Sequence, residues 1–81
     1  MRMSEKCPAL INLGKRIREL RIEKGFSQEA FANEISLDRT YMGGIERGER
    51  NIAAINLIRI AKGLRVEVGD LFPPVKSLKI D

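Results

Sequence analysis

An all-α fold is predicted by three features of this 81-residue chain. Its three prolines, Pro8, Pro73 and Pro74, lie near the ends, so residues 9–72 carry none of the residue that interrupts helices. Apolar residues recur at spacings of three and four, and the period-two alternation of a half-buried strand is missing. Glycines and capping residues then divide the stretch into segments of helical length. The expected architecture is a compact five-helix bundle. Residues 1–8 form an N-terminal extension, 9–72 the folded domain and 73–81 a C-terminal tail.

Leu10, Leu13, Ile17 and Leu20 line one face of a first helix, about residues 9–24, with Lys15, Arg16, Arg18 and Glu19 opposite. Lys24 gives that helix a basic last turn, and Gly25 supplies the residue that best tolerates a left-handed ending. Ser27 is a good N-cap for a short second helix opening with Gln28 and Glu29. Asp38 is the next cap, starting a third helix from Arg39 to about Arg47 that Gly48 stops. A polar loop, 48–51, leads into a fourth helix from Ile52 to Leu64, and 66–72 has room for one short last turn.

The composition closes several routes. There is no His, so no imidazole base or ligand, and the single cysteine, Cys7, builds neither a disulfide nor a zinc site and fits a reducing compartment. No stretch approaches the roughly 20 apolar residues of a membrane span, and 1–8 is too polar for a signal peptide. No metal or other cofactor is expected, enzymatic activity is the weakest option, and the location expected is the cytoplasm. The net charge of +4 permits a polyanionic partner without requiring one.

Residues 28–47, QEAFANEISLDRTYMGGIER, have the pattern of a helix-turn-helix. Phe31, Ile35, Leu37, Met42 and Ile45 are apolar where two crossed helices and their turn pack, and Ala32 is small where the second approaches the first. An ordinary helical hairpin buries the same residues, so the pattern alone leaves that alternative open. The other face of the third helix points further. At about 100° per residue, Arg39, Thr40, Gly43 and Arg47 fall together, away from Met42 and Ile45. Arginine can pair bidentately with guanine, and threonine offers a methyl and a hydroxyl to base edges. Gly43 and Gly44 each cost up to about 1 kcal/mol inside a helix. Close approach offsets that cost, Gly43 toward DNA and Gly44 toward a neighbouring helix. A solvated polar face with a frayed helix end is the other reading of the same residues.

The run LGKRIRELRIEKGFSQEAFANEISLDRTYMGGIERGERNIAAINLIRIAKGLRVEVGDLF, residues 13–72, resembles the Xre/Cro-type helix-turn-helix family of phage and bacterial repressors. Within it, SLDRTYMGGIERGERN is most similar to the controller proteins of restriction–modification systems. The resemblance implies the fold of a phage-repressor DNA-binding domain. It makes Arg39 the leading base-reading arginine and Thr40 a base or phosphate contact. Gln28 matches a phosphate-binding glutamine, and Arg47, Arg50 and Asn51 match residues that clamp the backbone. Tyr41 matches an aromatic that touches DNA in some relatives, with burial as the equal alternative. Arg21 and Glu46 match a buried ion pair between the first and third helices.

Four positions depart from the family pattern. Ser36 stands at a usual turn glycine, so a reshaped or strained turn is expected. Gly43 replaces a common serine, which alters the expected base contacts. Ala53 replaces a Ser or Thr cap and leaves Asn51 as the expected cap of the fourth helix. Gly63 and Arg65 invert the usual glycine placement at its end.

The fourth helix has more apolar surface than one core face needs. Leu57, Ile60, Ala61 and Leu64 point one way, and Ile52, Ile55 and Ile58 another. Ile52, Ile55 and Ile58, with Leu71 and Phe72, are the expected interface of a two-fold homodimer. The resulting expectation is a homodimeric, sequence-specific regulator on a near-palindromic double-stranded operator, acting on restriction–modification genes. Repression and activation are both open, and no membrane or small-molecule ligand is expected. The competing function is an antitoxin or adaptor that binds a protein partner, with the VKSLKI tail docking as a short strand.

Overall fold

The computed structural model describes residues 7–80, so 1–6 of the expected N-terminal extension and Asp81 lie outside the described residues. Four α-helices, α1 (Pro8–Glu23), α2 (Gln28–Glu34), α3 (Arg39–Glu46) and α4 (Ala54–Leu64), precede two 3-10 turns, Val68–Leu71 and Val75–Ser77. No strand occurs among the described residues. The first 3-10 turn is the expected fifth helical segment; the second falls in the tail.

Ser27 and Asp38 cap as expected: Ser27 Oγ accepts from the Ala30 N–H at 3.1 Å, and Asp38 Oδ2 from the Tyr41 N–H at 3.1 Å. The fourth helix corrects its expectation. It starts at Ala54, two residues after Ile52, and its N-cap is Ala53, which has no side-chain acceptor. Asn51 lies outside the helix, two residues before that cap, and does not serve as one.

All four α-helices end in the same motif. A left-handed residue reverses the chain at Gly25, Ser36, Gly48 and Arg65, with φ of 87°, 58°, 76° and 59°. The following N–H then reaches back into the last turn: Phe26 to Arg21 O, Leu37 to Ala32 O, Glu49 to Gly44 O and Val66 to Ala61 O. Ser36 and Arg65 therefore adopt a conformation that costs an L-residue roughly 1–2 kcal/mol. Gly63 cannot serve at the end of α4, because its own place is fixed by packing. A Cβ there would overlap the Ile35 side chain and come within 3.0 Å of the Phe31 ring. Ser36→Gly is accordingly expected to stabilise the fold by about 1 kcal/mol, read as a higher midpoint in thermal denaturation. An unchanged or lower midpoint would contradict the strain assigned to this turn.

The core joins the four α-helices and the first 3-10 turn. Leu13, Ile17 and Leu20 of α1 meet Phe31 and Ala32 of α2, Met42 and Ile45 of α3, and Ile60, Ala61 and Leu64 of α4. Leu71 closes the base of this cluster and is 0% exposed. The expectation that Leu71 lies in a dimer interface is thus incorrect; the 3-10 turn points it into its own core. Ile52 also packs partly against the core. Gly14 lets α1 approach α3 closely, since a Cβ would lie 2.7 Å from Glu46 O. Helical periodicity does not single out this glycine.

The tail folds back on the start of α1. Cys7, the N-cap residue, makes no side-chain cap, and the first N–H groups of a helix lack internal partners. Lys79 O accepts the Ala9 N–H at 2.8 Å, Asn12 Nδ2 donates to Ser77 O at 3.5 Å, and Cys7 Sγ lies 3.6 Å from Ile80 O. The tail backbone, expected in the competing reading to dock on a partner as a strand, instead supplies the missing cap.

Candidate nucleic-acid interface

Two short helices and one turn create the candidate surface. The turn at Ser36 sets α2 across α3, and Phe31, Ala32, Met42 and Ile45, all buried, lock the crossing. The opposite faces of both helices then meet at solvent. Gln28 of α2 joins Arg39, Thr40, Gly43 and Arg47 around one open depression of about 280 Å³. These five come from the expected DNA-contacting set and are separated by up to nineteen positions in the sequence. Arg39, Thr40 and Arg47 are exposed.

The remaining three of that set lie outside the depression. Arg50 and Asn51 are exposed in the loop after α3. Tyr41 is half-buried against the core, and its hydroxyl accepts from Asn56 Nδ2 at 3.2 Å. The Arg50 guanidinium sits 6.0 Å from the centre of the Tyr41 ring. Burial thus takes one side of the ring, and Arg50 lies over it.

Both glycines of α3 differ from expectation. Gly43 is buried rather than a bare patch of backbone: a Cβ would lie 3.0 Å from Arg47 Nη1 and 3.3 Å from Gln28 Oε1. Gly44 does not face a neighbouring helix, because the atoms next to its missing Cβ belong to Arg50, with Cγ at 2.9 Å and Nε at 3.1 Å. Each glycine is roofed by an arginine from further along the chain.

Two of the surface arginines have carboxylate partners. Arg39 Nη1 lies 3.5 Å from Glu29 Oε2, and Arg47 Nε lies 3.1 Å from Glu49 Oε1. These side chains are largely exposed, so each pair is worth at most about 1 kcal/mol and exchanges readily for another anion. Glu49 is detectable by its spacing from Arg47. Glu29 is not, since it meets Arg39 only through the crossing of two helices.

Beneath this surface lies the Arg21–Glu46 pair, with side chains only 8% and 2% exposed. Arg21 Nε reaches Glu46 Oε2 at 2.7 Å and Nη2 reaches Oε1 at 3.0 Å, a two-pronged geometry. Arg21 Nη1 also donates to Phe26 O at 2.7 Å. Gln28 Nε2 donates to Glu46 Oε1 at 3.0 Å. The amide group therefore has one N–H committed inward, while its second N–H remains for an outside acceptor. The buried pair thus joins α1 to α3 and orients the first side chain of α2.

Of the expected dimer residues, Ile55 and Ile58 are 57% and 41% exposed on one side of α4. Phe72 is also exposed, but it lines a different hollow, with Asn12 and Arg16 of α1. Val68, on the turn that packs against α4, is a further exposed apolar residue, absent from the expected interface. Among the described residues no helix is long and apolar enough to cross a membrane.

Comparison with known proteins fits this arrangement. A helix-turn-helix family model matches residues 17–71. The control protein C.MunI of a Mycoplasma species is 43% identical over 68 residues, which span 83% of this chain and 92% of the relative. The control protein C.BamHI of Bacillus amyloliquefaciens is 44% identical over 59 residues, 72% of this chain and 73% of the relative. The crystal structure of the restriction-modification controller protein C.AhdI from Aeromonas hydrophila superimposes with a TM-score of 0.76 at 48% identity, covering 78% of this chain and 96% of that one. C.Esp1396I, solved as a tetramer in complex with its natural 35-base-pair operator, gives a TM-score of 0.71 at 41% identity, over 78% of this chain and 83% of that one. The chain belongs to the Xre/Cro-type helix-turn-helix family of transcriptional regulators, and its similarity there extends to the controller proteins of restriction–modification systems.

Proposed function

We propose that this protein is a homodimeric regulator of transcription that binds a near-palindromic operator in double-stranded DNA and controls restriction–modification genes. The observation that carries the reading is the convergence of Gln28, Arg39, Thr40 and Arg47 on one open surface, braced from behind by Arg21 and Glu46. Arg39 and Thr40 read base edges in the major groove. Gln28, Arg47, Arg50 and Asn51 hold phosphates, and Tyr41 borders that contact through Arg50. The phosphate contacts give affinity and salt dependence; the base contacts give sequence choice. Neither catalysis nor a cofactor enters the reading, which places the protein in the cytoplasm with the DNA it regulates.

A dimer follows from the exposed apolar residues of α4. Ile55 and Ile58 form its centre, with Val68 on the turn that packs against α4, and Phe72 stands outside it. Two recognition helices then meet successive major grooves about 34 Å apart. Operator occupancy by a tetramer of C.Esp1396I supports a multimeric mode here as well. Selection of bound duplexes from a random pool tests the whole reading. It is expected to return two inverted half-sites with centres about 10 base pairs, or a multiple, apart. Recovery of no enriched sequence would refute it. Ile55→Glu tests the dimer separately. Sedimentation at tens of micromolar is expected to show dimers for the unaltered chain and monomers for the variant, whose operator affinity falls with it. An unaltered chain that sediments as a monomer removes the interface.

A further inference from the structure

We infer that Gly43 and Gly44 are positioning residues for DNA binding: their missing side chains seat Arg47 and Arg50 against α3, so that both guanidinium groups are held before DNA arrives. The inference rests on the DNA-binding reading above and extends it to two residues without side chains of their own.

Two adjacent glycines inside an eight-residue helix are a liability for that helix, since each lowers its stability relative to alanine. The fold needs neither for backbone conformation. Neither is among the positive-φ glycines, which are Gly25 and Gly48. Nor does close packing of another helix require them, as it does at Gly14, where the neighbouring atoms are backbone atoms of α3. At Gly43 the atoms nearest a Cβ are Arg47 Nη1 at 3.0 Å and Gln28 Oε1 at 3.3 Å. At Gly44 they are Arg50 Cγ at 2.9 Å, Nε at 3.1 Å and Cδ at 3.5 Å. The space is therefore filled by surface side chains of the candidate interface and not by the core.

Both arginines are otherwise weakly held. Among the described residues, Arg47 has only its exposed pair with Glu49, and Arg50 only its position 6.0 Å from the Tyr41 ring centre. A long, exposed arginine loses side-chain freedom when it grips a phosphate, which weakens binding unless it is held in place beforehand. Lying across bare helix backbone restricts each arginine in the free protein. A methyl at either glycine pushes the arginine off the helix and restores that freedom. The charge stays, the fold stays, and the grip weakens.

Stability and binding consequently respond in opposite directions. Gly44→Ala is expected to leave the melting temperature unchanged or raise it by up to about 4–8 °C. The same change is expected to weaken binding to the selected duplex by about two- to tenfold. A double-mutant cycle provides the test, using the best duplex from the random-pool selection. In an Arg50→Ala background, Gly44→Ala is expected to have no further effect on affinity. Equal losses with and without Arg50 overturn the inference, because the methyl then acts on the duplex or on the helix itself. No loss in the otherwise unaltered chain also overturns it. Should Gly44→Ala fail to fold by circular dichroism, the cycle of Gly43→Ala with Arg47→Ala decides in the same way, since the atoms nearest that methyl are the ends of flexible side chains. An unaltered chain that binds no selected duplex refutes the DNA-binding reading itself, whereas binding without coupling refutes only the seating of the arginines.

Discussion

Glu46→Ala is expected to destabilise the protein by about 3–5 kcal/mol, the cost of leaving a buried charge unpaired. Arg21 is the charge left behind. Its side chain is 8% exposed, and among the described residues it would retain only one neutral acceptor, Phe26 O at 2.7 Å. A domain has roughly 5–15 kcal/mol of total stability, and a chain of this size lies toward the lower end. The variant is therefore expected to be substantially unfolded at 37 °C. Urea denaturation followed by circular dichroism measures the loss directly. Replacing both Arg21 and Glu46 by methionine is expected to recover much of it, because a well-packed apolar pair avoids the stranded charge. If Glu46→Ala costs less than about 1 kcal/mol, the pair is solvated rather than buried, contrary to the geometry.

The double variant separates two roles of Glu46. Besides balancing Arg21, its Oε1 accepts from Gln28 Nε2 at 3.0 Å. An apolar residue at position 46 keeps the fold but leaves the Gln28 amide without its inner acceptor. The refolded double variant should accordingly bind DNA more weakly than its stability alone would imply. Stability and DNA recognition thus meet at one carboxylate, buried beneath the surface it organises.

Much of this molecule is legible in its sequence because helices and their caps are local. The spacing of Leu13, Ile17 and Leu20 names the buried face of α1, and Ser27 and Asp38 name the caps of α2 and α3. The Arg21–Glu46 pair is available only through resemblance, since nothing in a spacing of twenty-five residues signals an interaction. The misplaced features depend on three-dimensional neighbours. Leu71 looks like surplus apolar surface until the last turn directs it into the core. Gly63 looks like a displaced helix stop until Ile35 and Phe31 occupy its side-chain space, which leaves Arg65 to take the left-handed position. Gly43 and Gly44 are readable as close-approach residues. Arg47 shares a helical face with Gly43, but the approach of Arg50 to Gly44 is not readable, because its stem folds back from a loop whose path the sequence leaves open. The order of the tail follows likewise from an uncapped helix start that only the folded chain brings to Lys79.

Arg39→Ala is the second large expected effect, and it acts on sequence choice rather than on folding. Arg39 is exposed, and its partner in the free protein is Glu29, with 3.5 Å between the nearest atoms. Removing that pair changes stability by no more than about 1 kcal/mol. On DNA, a bidentate arginine–guanine interaction provides about 1–3 kcal/mol of discrimination against the wrong base. A homodimer places Arg39 in both half-sites, so the variant is expected to lose about 2–6 kcal/mol of operator affinity while binding unrelated duplexes almost as well. Arg47→Ala provides the contrast. Without the Arg47 guanidinium on its phosphate, every duplex binds more weakly by a similar factor, and the salt dependence falls by about one phosphate per subunit. Titrating each variant against the selected operator and a scrambled duplex, at several salt concentrations, separates the two. If Arg39→Ala weakens both duplexes equally, Arg39 is a backbone clamp, and the choice of base must rest with Thr40. A loss of discrimination confined to a single base pair per half-site assigns that position to Arg39.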